Sequence, residues 1–173
     1  SRQGGFEIYL EGGHLGADLW DLIWDAGQTF NMTPGCPNLI ERIEGGLFSY
    51  GNEMTRENNP LEIGLGKFCS LDGSIDYIGR KALEKIASDG VARKIRGIIF
   101  DGAACPTCSI PWPVMVGQQQ VGQITSGIWS PRLKANVGQS LIERGFWDIG
   151  QEVRVITPDG QHRHGKLSKM PMV

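Results

Sequence analysis

The chain is predicted to be α+β, an α/β subdomain segment followed by a small antiparallel β-barrel. Helix-period apolar spacing is confined to the residues before Gly90. Beyond Gly90 it gives way to six short β-rich runs punctuated by Gly, Pro and Asp, the pattern of a small antiparallel barrel or sandwich. Glycine is also in excess: 25 of 173 residues, about 14% against the usual ~7%. These glycines follow no period, so they speak for tight turns between short elements and against a collagen-like repeat. The domain division expected is residues 1–90, the end of a central α+β subdomain, and 91–173, a C-terminal barrel.

Phe6-Glu7-Ile8-Tyr9-Leu10 alternates like a strand, with Phe6, Ile8 and Leu10 on one face and Glu7, Tyr9 and Glu11 on the other. Leu15, Leu19, Trp20, Ile23 and Trp24 recur at helical spacing, which predicts a helix from Leu15 to Ala26 between Gly12-Gly13 and Gly27. The turn cluster Thr33-Pro34-Gly35-Cys36-Pro37-Asn38 opens a shorter helix through Leu39, Ile40 and Ile43, stopped by Gly45-Gly46. A short strand is expected at Leu47–Tyr50 and a polar loop at Thr55–Pro60, where Pro60 biases Asn59 away from helix. A third helix is expected at Ile78–Ser88, with Ala82, Leu83, Ile86 and Ala87 on one face and Gly90 past its end. The barrel strands are expected at Lys94–Phe100, Trp112–Val116, Gln120–Trp129, Val137–Ile142, Glu152–Thr157 and Arg163–Lys169. Pro158-Asp159-Gly160 is a hairpin signal between the last two.

Seventeen basic against nineteen acidic side chains leave a net charge of −2 with the signs interspersed. No basic field is offered to nucleic acid or to an anionic membrane. No stretch approaches the roughly 20 apolar residues of a membrane helix, and four cysteines are too few for a disulfide framework. The expectation is a soluble cytoplasmic protein with reduced thiols. Ser1-Arg2-Gln3-Gly4-Gly5 runs almost directly into a strand pattern without an initiator Met. We therefore expect a segment of a longer polypeptide, carrying an incomplete active site and inactive on its own.

Glu7 and Tyr9 offer a carboxylate beside an aromatic ring. Such a pair can bind a flat heterocycle bearing adjacent N–H donors, such as an aminopyrimidinone edge, or be no more than the solvated face of an edge strand. Arg42 and Glu44 flank Ile43 before Gly45-Gly46. A cation near a helix C-terminus stabilises the helix without any further role, and the glycines serve equally as a cap or as a close approach for a ligand. Cys105-Pro106-Thr107-Cys108 has metal-like spacing, and His162 and His164 share one face of a strand far along the chain. A turn using two buried thiols explains the same letters, and no metal is expected. Trp129, at the end of a strand, is either core or an aromatic face for a cation or planar ring. Phosphate-cradling loops, nucleophile elbows and paired-histidine zinc motifs are absent.

Several motifs in order resemble the C-terminal half of the folate-dependent aminomethyltransferases, the family of the glycine cleavage T-protein. They are Gly5-Phe6-Glu7-Ile8, Arg42-Ile43-Glu44-Gly45-Gly46-Leu47, Tyr50-Gly51-Asn52-Glu53, Pro60-Leu61-Glu62-Ile63-Gly64-Leu65-Gly66, Tyr77-Ile78-Gly79-Arg80, and Gly122-Gln123-Ile124-Thr125-Ser126-Gly127 with Ser130-Pro131. Where the glycine-cleavage proteins carry an acidic Gly-Glu-Asp-Gly run and Ala-Arg-Asp, this chain has Arg2-Gln3-Gly4-Gly5 and Pro37-Asn38-Leu39. In those places it is more similar to the family's dimethylsulfoniopropionate-demethylating branch.

The resemblance implies three subdomains around a folate cleft, with the catalytic region lying in a preceding half. It implies a tetrahydrofolate-dependent methyltransferase acting on a small sulfonium substrate, with Glu7 on the pteridine edge and Tyr9 beside folate and substrate. It further implies that Arg42 and Ile43 line the cleft, that Trp129 is an aromatic contact for the substrate, and that Arg42 or Lys67 is the cation for the substrate carboxylate. Aminomethyl transfer in glycine cleavage and a non-enzymatic folate-binding module are the alternatives. Assembly with a second copy is left open, and neither nucleic acid nor membrane is expected as a partner.

Overall fold

The computed structural model describes residues 5–35 and 38–173. Ser1 to Gly4, Cys36 and Pro37, which carry part of the branch resemblance, lie outside the described residues. The chain divides into two compact units, one ending at Asn38 and one spanning Leu39–Val173.

In the first unit helix α1 runs Gly16–Gly27, one residue from its expected bounds at each end. Asp18 sits in its first turn, where the exposed N–H groups favour an acid. Trp20 and Trp24, one turn apart, stack with ring centroids 6.3 Å apart and planes 7° from parallel. A 3-10 turn, Gln28–Phe30, follows, and Asn31 at φ 54° reverses the chain. Gly27 is obligatory there, because a Cβ would lie 2.5 Å from Met32 Cε and 2.8 Å from its Cβ.

The expected strand Phe6–Leu10 does not form, and the segment is irregular. Phe6, assigned to a core face, is 99% exposed, and Ile8 is exposed as well. Alternation predicts which side chains share a face, but a strand exists only where its N–H and C=O groups find a neighbour. All six strands among the described residues close on one another, leaving this segment none to pair with.

The second unit begins with helix α2, Leu39–Glu44, and contains helix α3, Arg80–Asp89. Helix α3 starts two residues later than expected because Gly79, at φ 91°, breaks the run from Tyr77. At its C-terminal end Arg144 Nη2 donates to Asp89 O, the last helical carbonyl, at 3.2 Å and to Val91 O, beyond the helix, at 2.7 Å. The expected strand Leu47–Tyr50 does not form: Leu47 to Ser49 are irregular and Tyr50 makes only an isolated bridge to Met54. Leu47 N donates to Arg42 O at 2.9 Å and Gly51 N to Met54 O at 2.7 Å, so local bonds occupy what a ladder would use. Thr55–Pro60 is the expected loop, ordered by Asn58 and Asn59, whose Oδ1 atoms accept Thr55 N at 2.9 Å and Leu61 N at 3.1 Å.

Strands β1 Arg93–Phe100, β2 Trp112–Val116, β3 Gln119–Ser130, β4 Ala135–Glu143, β5 Glu152–Ile156 and β6 His162–Ser168 form a closed antiparallel barrel in the order β1-β4-β3-β2-β5-β6. All six were expected, with ends within two residues of those observed. The β5–β6 hairpin closes with Gly160 at φ 75° and Gly160 N on Thr157 O at 2.9 Å, as Pro158-Asp159-Gly160 predicts. Inward side chains including Ile98, Phe100, Trp112, Val114, Val121, Ile124, Ile142, Val155 and Leu167 fill the core. Ile95 and Leu141 face outward and are buried instead under Ile63, with Phe48, Met54, Leu65 and Met170 packed around them. One wall of the barrel is thus roofed by the segment that follows α2. No helix among the described residues is long and apolar enough to cross a membrane.

Candidate functional site

Glu7 and Tyr9 lie in the first unit. Although no strand forms, the two side chains do meet: Tyr9 Oη donates to Glu7 Oε2 at 2.6 Å, and Tyr9 is 87% exposed. This bond raises the Tyr9 phenol above its ordinary value by holding its proton. The pair presents a carboxylate and a phenol ring together on an open surface.

Arg42, Ile43 and Trp129 belong to the second unit. Helix α2 has six residues, too few to hold themselves in a helix, so its geometry is imposed by what it packs on. Arg42 Nη1 donates to Glu53 Oε2 at 3.0 Å and to Leu47 O at 2.9 Å, and Nη2 donates to Ser126 Oγ at 2.6 Å. Glu53 is 0% exposed and accepts two more bonds, from Ser49 N at 2.9 Å and Thr125 Oγ1 at 3.0 Å. A buried carboxylate survives only when paired and hydrogen-bonded, and Glu53 is both.

Thr125 and Ser126 are neighbours on β3, and consecutive strand residues ordinarily point to opposite faces. The β3–β4 register shifts between Ile124 and Ser126, and this bulge lets both reach the same ion pair. From β4, Gln139 Nε2 donates to Leu47 O at 3.2 Å, Ile43 O at 3.3 Å and Arg42 O at 3.4 Å, a further donor for carbonyls that also accept from Arg42 Nη1, Gly46 N and Leu47 N. Two residues past Arg42, buried Glu44 accepts from Ser130 Oγ, and its backbone carbonyl accepts Met172 N at 2.8 Å. Gly46, at φ 68°, ends the helix against Met170.

Three stretches singled out by resemblance, Arg42 to Leu47, Tyr50 to Glu53 and Gly122 to Ser130, are therefore one interlocked cluster. Ile43 is 0% exposed at its centre, and the Arg42 side chain is 19% exposed with its guanidinium engaged on three sides. Glu53, Thr125, Ser126 and Gln139 were not separated from the motifs around them by sequence reasoning. The one local signal was an acid placed straight after Gly51-Asn52 in an otherwise turn-forming run. Lys67 is exposed, its Nζ 4.9 Å from the Phe68 ring centroid.

Trp129, in the same strand as Thr125 and Ser126, lines a cavity of about 830 Å³ whose walls include Ile99, Phe100, Val153 and Ala135 and none of Arg42, Glu53, Thr125, Ser126 and Gln139. Lys134, His164 and Lys166 stand at the same cavity with Asp101 and Glu152, and Lys166 pairs with Glu152 at 3.4 Å. A half-buried indole over an apolar floor is suited to a small ligand with an apolar or cationic part.

Cys105 is buried in the barrel core, its backbone N–H donating to Asn136 Oδ1 at 2.8 Å, and the Cys108 thiol donates to Ile110 O at 3.0 Å. Burial pushes both thiols up, Cys108 to about 11. His162 and His164 share a face as expected, but they are exposed while the thiols turn inward. Among the described residues no group of three or more His, Cys, Asp or Glu side chains is placed to hold a metal ion.

Comparison with known proteins places these features in context. Residues 1–73 match the family model of the GCVT N-terminal domain, and residues 93–173 match that of the glycine cleavage T-protein C-terminal barrel domain. The chain is 49% identical to dimethylsulfoniopropionate demethylase DmdA of Ruegeria pomeroyi, over 92% of this chain and 43% of that protein. It is 37% identical to an aminomethyltransferase of Caldanaerobacter subterraneus subsp. tengcongensis, over 88% of this chain and 40% of that protein. The chain thus spans less than half the length of these curated relatives. The crystal structure of the glycine cleavage system aminomethyltransferase T from Bartonella henselae superposes with a TM-score of 0.69, covering 78% of this chain and 37% of that one, at 20% identity. That likeness is one of fold.

Proposed function

Because the chain belongs to the glycine cleavage T-protein family, we propose that it is the later part of a tetrahydrofolate-dependent methyltransferase that demethylates dimethylsulfoniopropionate. The observation that carries this reading is the 49% identity to the Ruegeria pomeroyi demethylase over 92% of this chain, set against 37% to an aminomethyltransferase over 88% of it. In this reading residues 1–90 end the central folate-binding subdomain and 91–173 are the barrel domain. The protein is cytoplasmic, and the segment alone is inactive.

The chain's own residues fit a folate. The Glu7 carboxylate, steadied by the Tyr9 hydroxyl at 2.6 Å, matches a pteridine edge with adjacent N–H donors, and the exposed Tyr9 ring gives that heterocycle a flat neighbour. Arg42 and Ile43 are the further cleft residues of this reading, Ile43 as buried packing and Arg42 through the part of its guanidinium that remains open. Tetrahydrofolate, when held there, would supply N5 as the acceptor of the sulfonium methyl, with the C–S electron pair left on the thioether product and the N5 proton released to solvent. Since the sulfonium charge disperses as this bond breaks, the protein's task is alignment in an apolar, aromatic-lined site. Trp129 offers an aromatic face for the sulfonium. With Arg42 committed to Glu53 and Ser126, the exposed Lys67 is the better cation for the substrate carboxylate.

The test is calorimetric titration of tetrahydrofolate into the full-length protein that carries this segment, with and without Glu7→Ala, followed by methyl transfer from dimethylsulfoniopropionate. Binding that collapses in the variant, together with 5-methyltetrahydrofolate formation, supports the proposal. Binding without methyl transfer, but with ammonia released in the presence of a lipoyl carrier, favours aminomethyl transfer, the reading that the two family models support. Binding untouched by Glu7→Ala and unaccompanied by turnover leaves a non-enzymatic folate module.

A further inference from the structure

We propose that Glu53 is a positioning residue: through the Arg42 guanidinium it transmits the geometry of the barrel to the end of α2, and thereby sets the cleft wall for folate. The inference rests on the folate reading above and adds to it a residue that never touches the ligand. Glu53 lies on neither the helix nor the barrel, yet it is wholly buried and binds both, through Arg42 Nη1 at 3.0 Å and Thr125 Oγ1 at 3.0 Å. Ser49 N at 2.9 Å fixes the loop between them. Arg42 then reaches Ser126 at 2.6 Å and the Leu47 carbonyl at 2.9 Å, so its plane is defined by contacts in three directions.

A guanidinium held this way keeps one orientation, because its planar fork matches acceptors on more than one side. Helix α2 cannot supply that order itself, having fewer than two turns. The bulge in β3 is the second sign of a built arrangement. Regular pairing would turn Thr125 or Ser126 away, and the irregularity brings both onto the one ion pair. Loss of the Glu53 charge leaves the Arg42 guanidinium without its counter-charge, held only by Leu47 O and Ser126, and so loosens the turn Gly45–Leu47.

The experiment uses the full-length protein with Glu53→Gln, Ser126→Ala and, as a control for stability alone, Val155→Ala. Val155 is fully buried on β5, a strand outside the Arg42–Glu53 cluster. Tetrahydrofolate Kd is measured at a temperature where each variant is folded, kcat and KM are separated, and amide exchange is followed at Ile43 to Leu47. Expected are a Kd raised at least tenfold by Glu53→Gln and about threefold by Ser126→Ala, with faster exchange in the turn, while Val155→Ala lowers Tm and leaves Kd unchanged. If Glu53→Gln does not fold, Ser126→Ala, which deletes one bond, carries the test. A Kd within twofold of wild type, or an equal loss in Val155→Ala, overturns the inference. Wild-type protein that binds no folate overturns the functional reading instead. The coupling itself is then judged by exchange, and unchanged exchange at Ile43 to Leu47 in Glu53→Gln refutes it.

Discussion

Replacing Glu53 by alanine removes the acceptor of three donors at once, Arg42 Nη1, Ser49 N and Thr125 Oγ1, at 3.0, 2.9 and 3.0 Å; Nη1 retains Leu47 O and Thr125 Oγ1 retains Gln139 O at 3.4 Å. Breaking a buried pair by removing one partner typically destabilises by about 3–5 kcal/mol, mostly because the remaining charge is left without compensation. The Arg42 side chain is one-fifth exposed and keeps Leu47 O and Ser126, which places Glu53→Ala near the lower end, about 3 kcal/mol. For a chain of this size that is a fall in Tm of roughly 6–12 °C. The double variant Arg42→Met with Glu53→Ala removes the orphaned charge. It is expected to recover at least about 1.5 kcal/mol relative to the sum of the two single variants. Urea unfolding of the chain and its three variants, followed by tryptophan fluorescence, measures the cycle. Additivity within about 0.5 kcal/mol would refute the reasoning, since it would mean that the two groups do not depend on each other.

Gln139→Leu is expected to cost far less, about 1 kcal/mol or under, although Gln139 donates to three carbonyls. Each of those carbonyls has a second donor (Leu47 N, Gly46 N and Arg42 Nη1), and the buried Gln139 Oε1 has no partner to lose. The same unfolding assay checks this, and a loss above about 2 kcal/mol contradicts the argument. Cys108 is expected to resist alkylation at pH 8 and to label only as pH approaches 11, because burial, with Glu53 adding to it, keeps the thiol protonated. Its raised value also favours the fold below pH 9, and that contribution is lost as pH rises from 9 through about 11. Alkylation read by mass spectrometry at stepped pH, with the protein folded throughout, tests the first claim.

The barrel was legible because closed antiparallel sheets write their pattern locally: inward Ile98 and Phe100 alternate with neighbours of the opposite face, and Pro158-Asp159-Gly160 marks a hairpin by itself. Helix α1 was legible for the same reason at the other period. Phe6–Leu10 shows where that logic stops. Its alternation is as regular as that of β1, but alternation does not supply a ladder partner, and none is present among the described residues. Leu47–Tyr50 failed in the other direction, because Gly51 and the end of α2 offered nearer hydrogen-bond partners than any sheet edge.

The candidate site was legible as a set of motifs and not as chemistry. Arg42 and Ser126 stand 84 residues apart, Glu44 and Ser130 86 apart, and Glu53 and Thr125 72 apart. No period in the sequence links them, and the bulge that puts Thr125 and Ser126 on one side breaks the rule by which they would have been assigned opposite faces. Their meeting in the fold has a physical reason. A six-residue helix bearing a buried glutamate at its end is unstable without the hydroxyls of β3, and those hydroxyls sit on a barrel wall that needs the helix and its following loop as a roof. No one of these motifs is held in place without the others, and the structural unit on this part of the chain is the helix together with the strand that holds it.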